Sequence, residues 1–139
     1  MADWNELLDS VNSKVIGIIN SSNDSFTGDG IYKNKDNLTR LLASAKNKGI
    51  ELIDVGCVST KPNFKDISQE DEFKRLNFFL ENYDGDFKLS IDTMNKSVAE
   101  YSLDNNFEIL NDVSGFRNAE MIELAVDRNS KIILVHNHP

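Results

Sequence analysis

Val15-Ile16-Gly17-Ile18-Ile19-Asn20 is an unbroken apolar run of strand length that closes on a carboxamide. A strand with one wet face alternates apolar and polar residues. This run does not, so it reads as a strand covered on both faces, as in a parallel sheet with packed helices. The same pattern recurs along the chain. Leu52-Ile53-Asp54-Val55, Phe87-Lys88-Leu89-Ser90-Ile91, Glu108-Ile109-Leu110 and Ile132-Ile133-Leu134-Val135 predict four more strands. Between them, apolar residues fall at helical spacings, as in Leu38, Leu41, Leu42 and Ala45, or Phe73, Leu76, Phe79 and Leu80. Asp36, Ser68 and Asn118 are the expected N-caps, and Gly49 is placed to end the first of these helices. Trp4, Leu7, Leu8 and Val11 predict a further short helix over residues 2–11. Strands alternating with helices, without hairpin signals, give right-handed βαβ units and a parallel sheet. The expected class is α/β in (βα)4β order. An open, doubly wound, flavodoxin-like sheet also suits five such strands.

Composition narrows the function. The 139 residues fit one domain, expected to run over 1–139, since nothing in the chain has the composition of a linker. Fifteen Lys and Arg against 23 Asp and Glu give a net charge of −8, which opposes non-specific binding to nucleic acid or anionic membrane. A small anionic ligand stays possible, because a few cations or backbone N–H groups can hold it locally. Cys57 is the single cysteine, so no intrachain disulfide forms, and a reducing cytoplasm is the expected compartment. No apolar run approaches the roughly 18 residues of a membrane span, and the first residues carry no signal-peptide pattern.

The strands end in polar loops: Asn20-Ser21-Ser22-Asn23-Asp24-Ser25-Phe26, Gly56-Cys57-Val58-Ser59-Thr60-Lys61-Pro62, Asp92-Thr93 and Asn111-Asp112. In parallel α/β proteins these ends share one rim, so the loops are expected to build one site. Taken singly the residues are ambiguous. Asn20 is a turn-former or a metal ligand, Asp92 a helix cap or a ligand contact. Asp54 is a buried structural group or a ligand contact, and Asn111-Asp112 a plain turn or part of the site. Cys57, with no neighbouring Cys or His, reads as unreactive. His136 and His138 lack a third zinc ligand. Asp66, Glu70, Asp71, Glu72 and Lys74 read as a solvated helix face. Gly28-Asp29-Gly30 lacks the lysine and spacing of a phosphate-binding loop.

Together the segments carry a resemblance. Val15 to Asn20 with Asn23-Asp24-Ser25-Phe26 and Gly28-Asp29-Gly30 resembles the first signature of dihydropteroate synthases. Ile53-Asp54-Val55-Gly56 with Ser59-Thr60-Lys61-Pro62 resembles the second, and Ser90 to Thr93, Ile109 to Gly115 and Ile133 to His136 resemble three further segments in order. The resemblance implies the N-terminal half of a pterin-binding TIM barrel. It implies a transferase of folate biosynthesis that joins a dihydropterin methyl pyrophosphate to p-aminobenzoate. By position, Asn20 would hold Mg²⁺ against the pyrophosphate, and Asp92 and Asn111 would read the pterin edge. Ser59, Thr60 and Lys61 would touch pyrophosphate or aminobenzoate, and the loop around Asp24 would close over the reacting centre. Asp24, Thr60 and Lys61 are thus the catalytic candidates.

The chain also departs from the family pattern. Asn23 stands where Pro is usual, which removes a fixed φ. Cys57-Val58 replaces Gly-Glu, adding bulk beside a tight turn. Lys61 replaces Arg, keeping charge but losing the bidentate fork, and Asn137 replaces a pocket Met. Five strands stand against the eight of a barrel. The chain alone is therefore expected to be inactive, and to seek either a second copy of itself or a C-terminal half-barrel. A non-catalytic pterin- or pyrophosphate-binding module and a relative of pterin-dependent methyltransferases are the alternatives. Asp24-Ser25-Phe26 argues against the second.

Overall fold

In a computed structural model, the structure describes residues 15–21, 30–58 and 67–135. Nine elements alternate: β1 (Ile16–Asn20), α1 (Lys35–Asn47), β2 (Leu52–Gly56), α2 (Gln69–Asn82), β3 (Lys88–Asp92), α3 (Lys96–Asp104), β4 (Ile109–Asp112), α4 (Ala119–Asp127) and β5 (Lys131–Leu134). The expected helix over 2–11 lies outside the described residues. Most strands extend one or two residues past the expected apolar runs, so Asn20, Gly56, Asp92 and Asn111 sit in the sheet rather than in loops. Sheet pairing decides this, because a polar residue can complete a ladder whose register neighbours have already formed.

The helix starts follow from side-chain caps. Ser68 accepts from Asp71 N at 3.2 Å and donates to Asp71 Oδ2 at 3.0 Å, closing the first turn of α2. Asn118 accepts from Glu120 N at 3.0 Å to open α4. Helix α1 begins earlier than expected. Asn34, accepting from Asn37 N at 3.0 Å, is its cap, and Asp36 lies in the first turn, where a negative charge suits the helix dipole. Gly49, at φ +70°, follows its C-cap in the left-handed conformation that ends helices.

All neighbouring strands pair in parallel, in the order β1-β2-β3-β4-β5. That order rules out the flavodoxin-like alternative, whose strand order reverses at a switch point. Consecutive right-handed crossovers put every helix on one face of the sheet, which is the winding of a barrel. On that face Ile19, Ile53, Val55, Leu89, Ile91 and Leu110 pack against Leu38, Leu76, Phe79, Val98 and Met121. Each such side chain contributes about 1.5–3 kcal/mol of transfer free energy. The edge strands are less covered: Ile18 on β1, which faces away from the helices in register with Asp54, and Leu134 on β5 are each 66% exposed. No helix among the described residues is long and apolar enough to cross a membrane.

Candidate functional site

The register places the candidate residues in a single row. Asn20 pairs with Gly56, Gly56 with Asp92, and Asp92 with Asn111. Register neighbours in a parallel sheet point to the same face, here the face away from the helices. Gly56 is what lets the row converge. A Cβ there would lie 3.4 Å from Asn20 Oδ1 and 3.7 Å from Asp92 Oδ2, so the bare glycine leaves room between a carboxamide and a carboxylate.

One row down on the same face stand Asp54 and Ser90, also register partners. Asn111 Nδ2 donates to Asp54 Oδ2 at 2.9 Å. Asp54 Oδ1, Asn111 Oδ1 and Ser90 Oγ are buried without a hydrogen-bond partner. Ser90 lies near enough to favour the ionised form of Asp54 but outside bonding geometry. Orphaned buried polar atoms are uncommon. Here one is an oxygen of the Asp54 carboxylate itself and two stand beside it, so unused acceptor capacity gathers at this point.

Electrostatics agree. Burial, reinforced by repulsion from Asp54, Asp112 and Glu72, pushes Asp92 up to about 6. Burial also raises Asp54, against the opposing hydrogen-bonding influence of Ser90 and Asn111. A desolvated cluster of acceptors suits a cationic or multiply donating heterocycle and repels a bare anion.

The structure settles several ambiguous residues. Asp92 is no helix cap, since Asn95 caps α3 by accepting from Ser97 N at 3.1 Å. Asn111 and Asp112 divide the labour: Asn111 faces the row, and Asp112 Oδ1 accepts from Ser114 N at 2.7 Å to form the turn. Asp54, left open by sequence, stands on the same face as the row and is bonded to Asn111, and Ser90 lies beside it unforeseen. Its signal was a polar residue inside an apolar strand, in register with Asp54. Glu72 is not on a solvated face. It is only 5% exposed and accepts a hydrogen bond from Thr93. Its charge hid this, although the spacing of Glu72, Leu76 and Phe79 puts all three on the buried face of α2. Cys57 adds no bulk to the turn. It is buried in the helix-side core, where burial pushes its thiol up and removes nucleophilic character. Asp24, Ser59, Thr60, Lys61, His136 and Asn137 lie outside the described residues.

A wider cleft of about 670 Å³ runs along α1 and the α2–β3 connection, past Leu42, Lys46, Tyr83 and Phe87. It shares no residue with the row, and none of the orphaned atoms lines it. The unpartnered polar atoms Asp54 Oδ1, Asn111 Oδ1 and Ser90 Oγ lie with the row instead, which makes the row the candidate site.

Fold and row together define a singly wound parallel α/β barrel segment with a polar strand rim. Residues 16–139 match the family described as pterin binding enzyme. The chain belongs to that family and corresponds to an N-terminal portion of the dihydropteroate synthase fold. It is 36% identical over 135 residues to the dihydropteroate synthase of Streptococcus pyogenes serotype M1, covering 91% of this chain and 48% of that protein. The crystal structure of dihydropteroate synthase from Anaplasma phagocytophilum with bound 6-hydroxymethylpterin-monophosphate is similar at a TM-score of 0.73 and 30% identity, over 91% of this chain and 49% of that one. The Burkholderia cenocepacia enzyme complexed with 7,8-dihydropteroate is similar at 0.71 and 26%, over 91% and 42%. The chain spans about half the length of the curated dihydropteroate synthases it matches.

Proposed function

We propose that this chain supplies the pterin-binding side of a dihydropteroate synthase, which condenses a dihydropterin methyl pyrophosphate with p-aminobenzoate in the cytoplasm. The observation that carries the reading is the set of unpartnered acceptors, Asp54 Oδ1 and Asn111 Oδ1, on the same face as Asp92. An aminopyrimidine edge presents parallel N–H groups, which a carboxylate accepts two at a time. Asp92 is the bidentate acceptor in this reading, Asp54 and Asn111 bind the remaining polar edge, and Ser90 completes the floor.

The reaction breaks the C–O bond between the pterin methylene and pyrophosphate and forms a C–N bond to the aminobenzoate amine, which loses a proton. Positive charge builds on the pterin as the leaving group departs. The buried carboxylates around Asp92 stabilise that charge in place, without solvent reorganisation. Asn20 Oδ1, converging with Asp92 over Gly56, is a hard oxygen donor at the row's edge. Mg²⁺ commonly keeps waters and phosphate oxygens and takes few protein ligands. Asn20 therefore fits an ion that arrives with the pyrophosphate. When bound, Mg²⁺ neutralises the leaving group's charge. Ser59, Thr60 and Lys61 are assigned to the pyrophosphate and aminobenzoate, and Asp24 to the loop over the reacting centre.

The open edges at Ile18 and Leu134 support a further part of the proposal: more strands, from the rest of a longer protein, a C-terminal half-barrel or a second copy, complete the working enzyme. Calorimetry with the pterin pyrophosphate and Mg²⁺, paired with a turnover assay on the protein together with the strands that complete it, tests the reading. Binding with product supports the synthase. Binding without product favours the non-catalytic module, the alternative raised by the departures from the family pattern at Asn23 and Asn137. Absence of binding overturns both.

A further inference from the structure

The row facing the helices repeats the logic of the row facing the ligand. Ser21, Cys57 and Thr93 each follow directly on Asn20, Gly56 and Asp92, and all three are grasped by a single turn of α2. Ser21 Oγ donates to the Arg75 carbonyl at 2.8 Å. Arg75 Nη1 donates to the Cys57 carbonyl at 2.9 Å. Thr93 Oγ1 donates to Glu72 Oε1 at 2.5 Å and itself accepts from Asn95 N at 3.1 Å, so its proton is directed to the carboxylate. Thr93 N donates to the Asn111 carbonyl at 3.0 Å and carries the linkage to β4. All five clamp residues are buried, with no exposure above 9%.

A buried carboxylate and guanidinium are an expensive way to hold a helix on a sheet, because both are desolvated. Apolar side chains would pack as well, but apolar contact is non-directional. Hydrogen bonds fix where a strand end lies. Successive strand residues point to opposite faces, so holding Ser21, Cys57 and Thr93 from behind fixes the aim of Asn20 and Asp92 in front.

We propose that Glu72 and Arg75, acting through Thr93, Cys57 and Ser21, are positioning residues that set the geometry of the Asn20–Asp92 row. They touch no substrate. The functional half of this proposal rests on the pterin reading, and the structural half stands without it. Glu72 also contributes to the raised titration of Asp92, so a disturbance of the clamp has a spectroscopic signature at the site.

The test compares Thr93→Val, which removes the hydroxyl at constant shape, with Thr93→Ser, which keeps it. Carbon-detected NMR follows the Asp92 carboxyl and the Asn20 side-chain amide in the free protein, and fluorescence titration measures affinity for 6-hydroxymethylpterin monophosphate. Thr93→Val is expected to move both NMR signals and weaken pterin binding about tenfold, or about 1.4 kcal/mol. Thr93→Ser is expected to restore both. Unmoved signals in Thr93→Val, or Thr93→Ser behaving like Thr93→Val, overturn the proposal. If wild type binds no pterin, the functional reading falls, while the NMR comparison still decides positioning. Should Thr93→Val fail to fold, Glu72→Leu, which removes the acceptor of the Thr93 hydroxyl, replaces it. A displaced Asn20 amide supports the proposal, and a wild-type Asn20 signal overturns it.

Discussion

Asn111 and Asp54, 57 residues apart in sequence, meet through a hydrogen bond of 2.9 Å from Nδ2 to Oδ2. Their strands, β4 and β2, are not neighbours, since β3 runs between them. Adjacent strands lie about 4.8 Å apart, so this contact reaches over a whole strand. Ser90, a small side chain in the intervening position, leaves the space. The bond orients the Asn111 carboxamide and leaves its oxygen buried and unpartnered.

Asn111→Ala removes the donor and leaves the Asp54 carboxylate buried with less support. Unfolding in urea should show a loss of about 1.5–3 kcal/mol, the range for a hydrogen bond to a charged group. The midpoint should fall at constant slope. Pterin affinity should fall with it.

Asp92 gives stability and binding opposite pH dependences. Its folded-state pKa, about 6, lies above its ordinary value of 3.8, so the folded protein holds this proton more tightly than the unfolded chain. Its contribution to stability therefore declines as pH rises from about 4 to 6 and is level above. Asp92→Asn should be more stable than wild type at pH 7, by about 1–3 kcal/mol, with the difference vanishing toward pH 3.5. Pterin binding to wild type should instead strengthen as pH rises through about 6, because the carboxylate is the acceptor. Thermal melts and titrations at matched pH values check both slopes.

Gly56→Val places a branched side chain into the gap between Asn20 Oδ1 and Asp92 Oδ2. The strand conformation tolerates valine. The expected result is a folded protein, with far-UV dichroism unchanged, whose pterin binding is lost by a factor of about 100 or more, as for two lost charge-assisted contacts.

The edges make the fourth prediction. Ile18 and Leu134 are two-thirds exposed, and exposed apolar edge strands recruit other chains. Wild type should self-associate in light scattering. Ile18→Ser combined with Leu134→Lys should shift it toward monomer with a thermal midpoint within a few degrees. A monodisperse wild-type monomer would contradict this.

Much of this protein was legible before folding was considered. Unbroken apolar strands required a sheet covered by helices. Ser68 and Asn118 marked helix starts because a cap needs only its own next turn. The segments around Asn20, Asp92 and Asn111 named the rim. Glu72 was misread because a charged side chain was assigned to solvent despite its place on the buried stripe, while its partner, Thr93, lies 21 residues away. Asp54 stayed ambiguous because its role depends on Asn111, two strands over.

The sequence by itself determined the alternation of elements, the parallel pairing and the family, since each rests on local periodicity or on residues a few positions apart. Tertiary structure alone decided the strand order, the single register row and the clamp of α2 behind it. Those depend on which residues meet across the sheet, and pairing distances in space are not encoded by spacing along the chain.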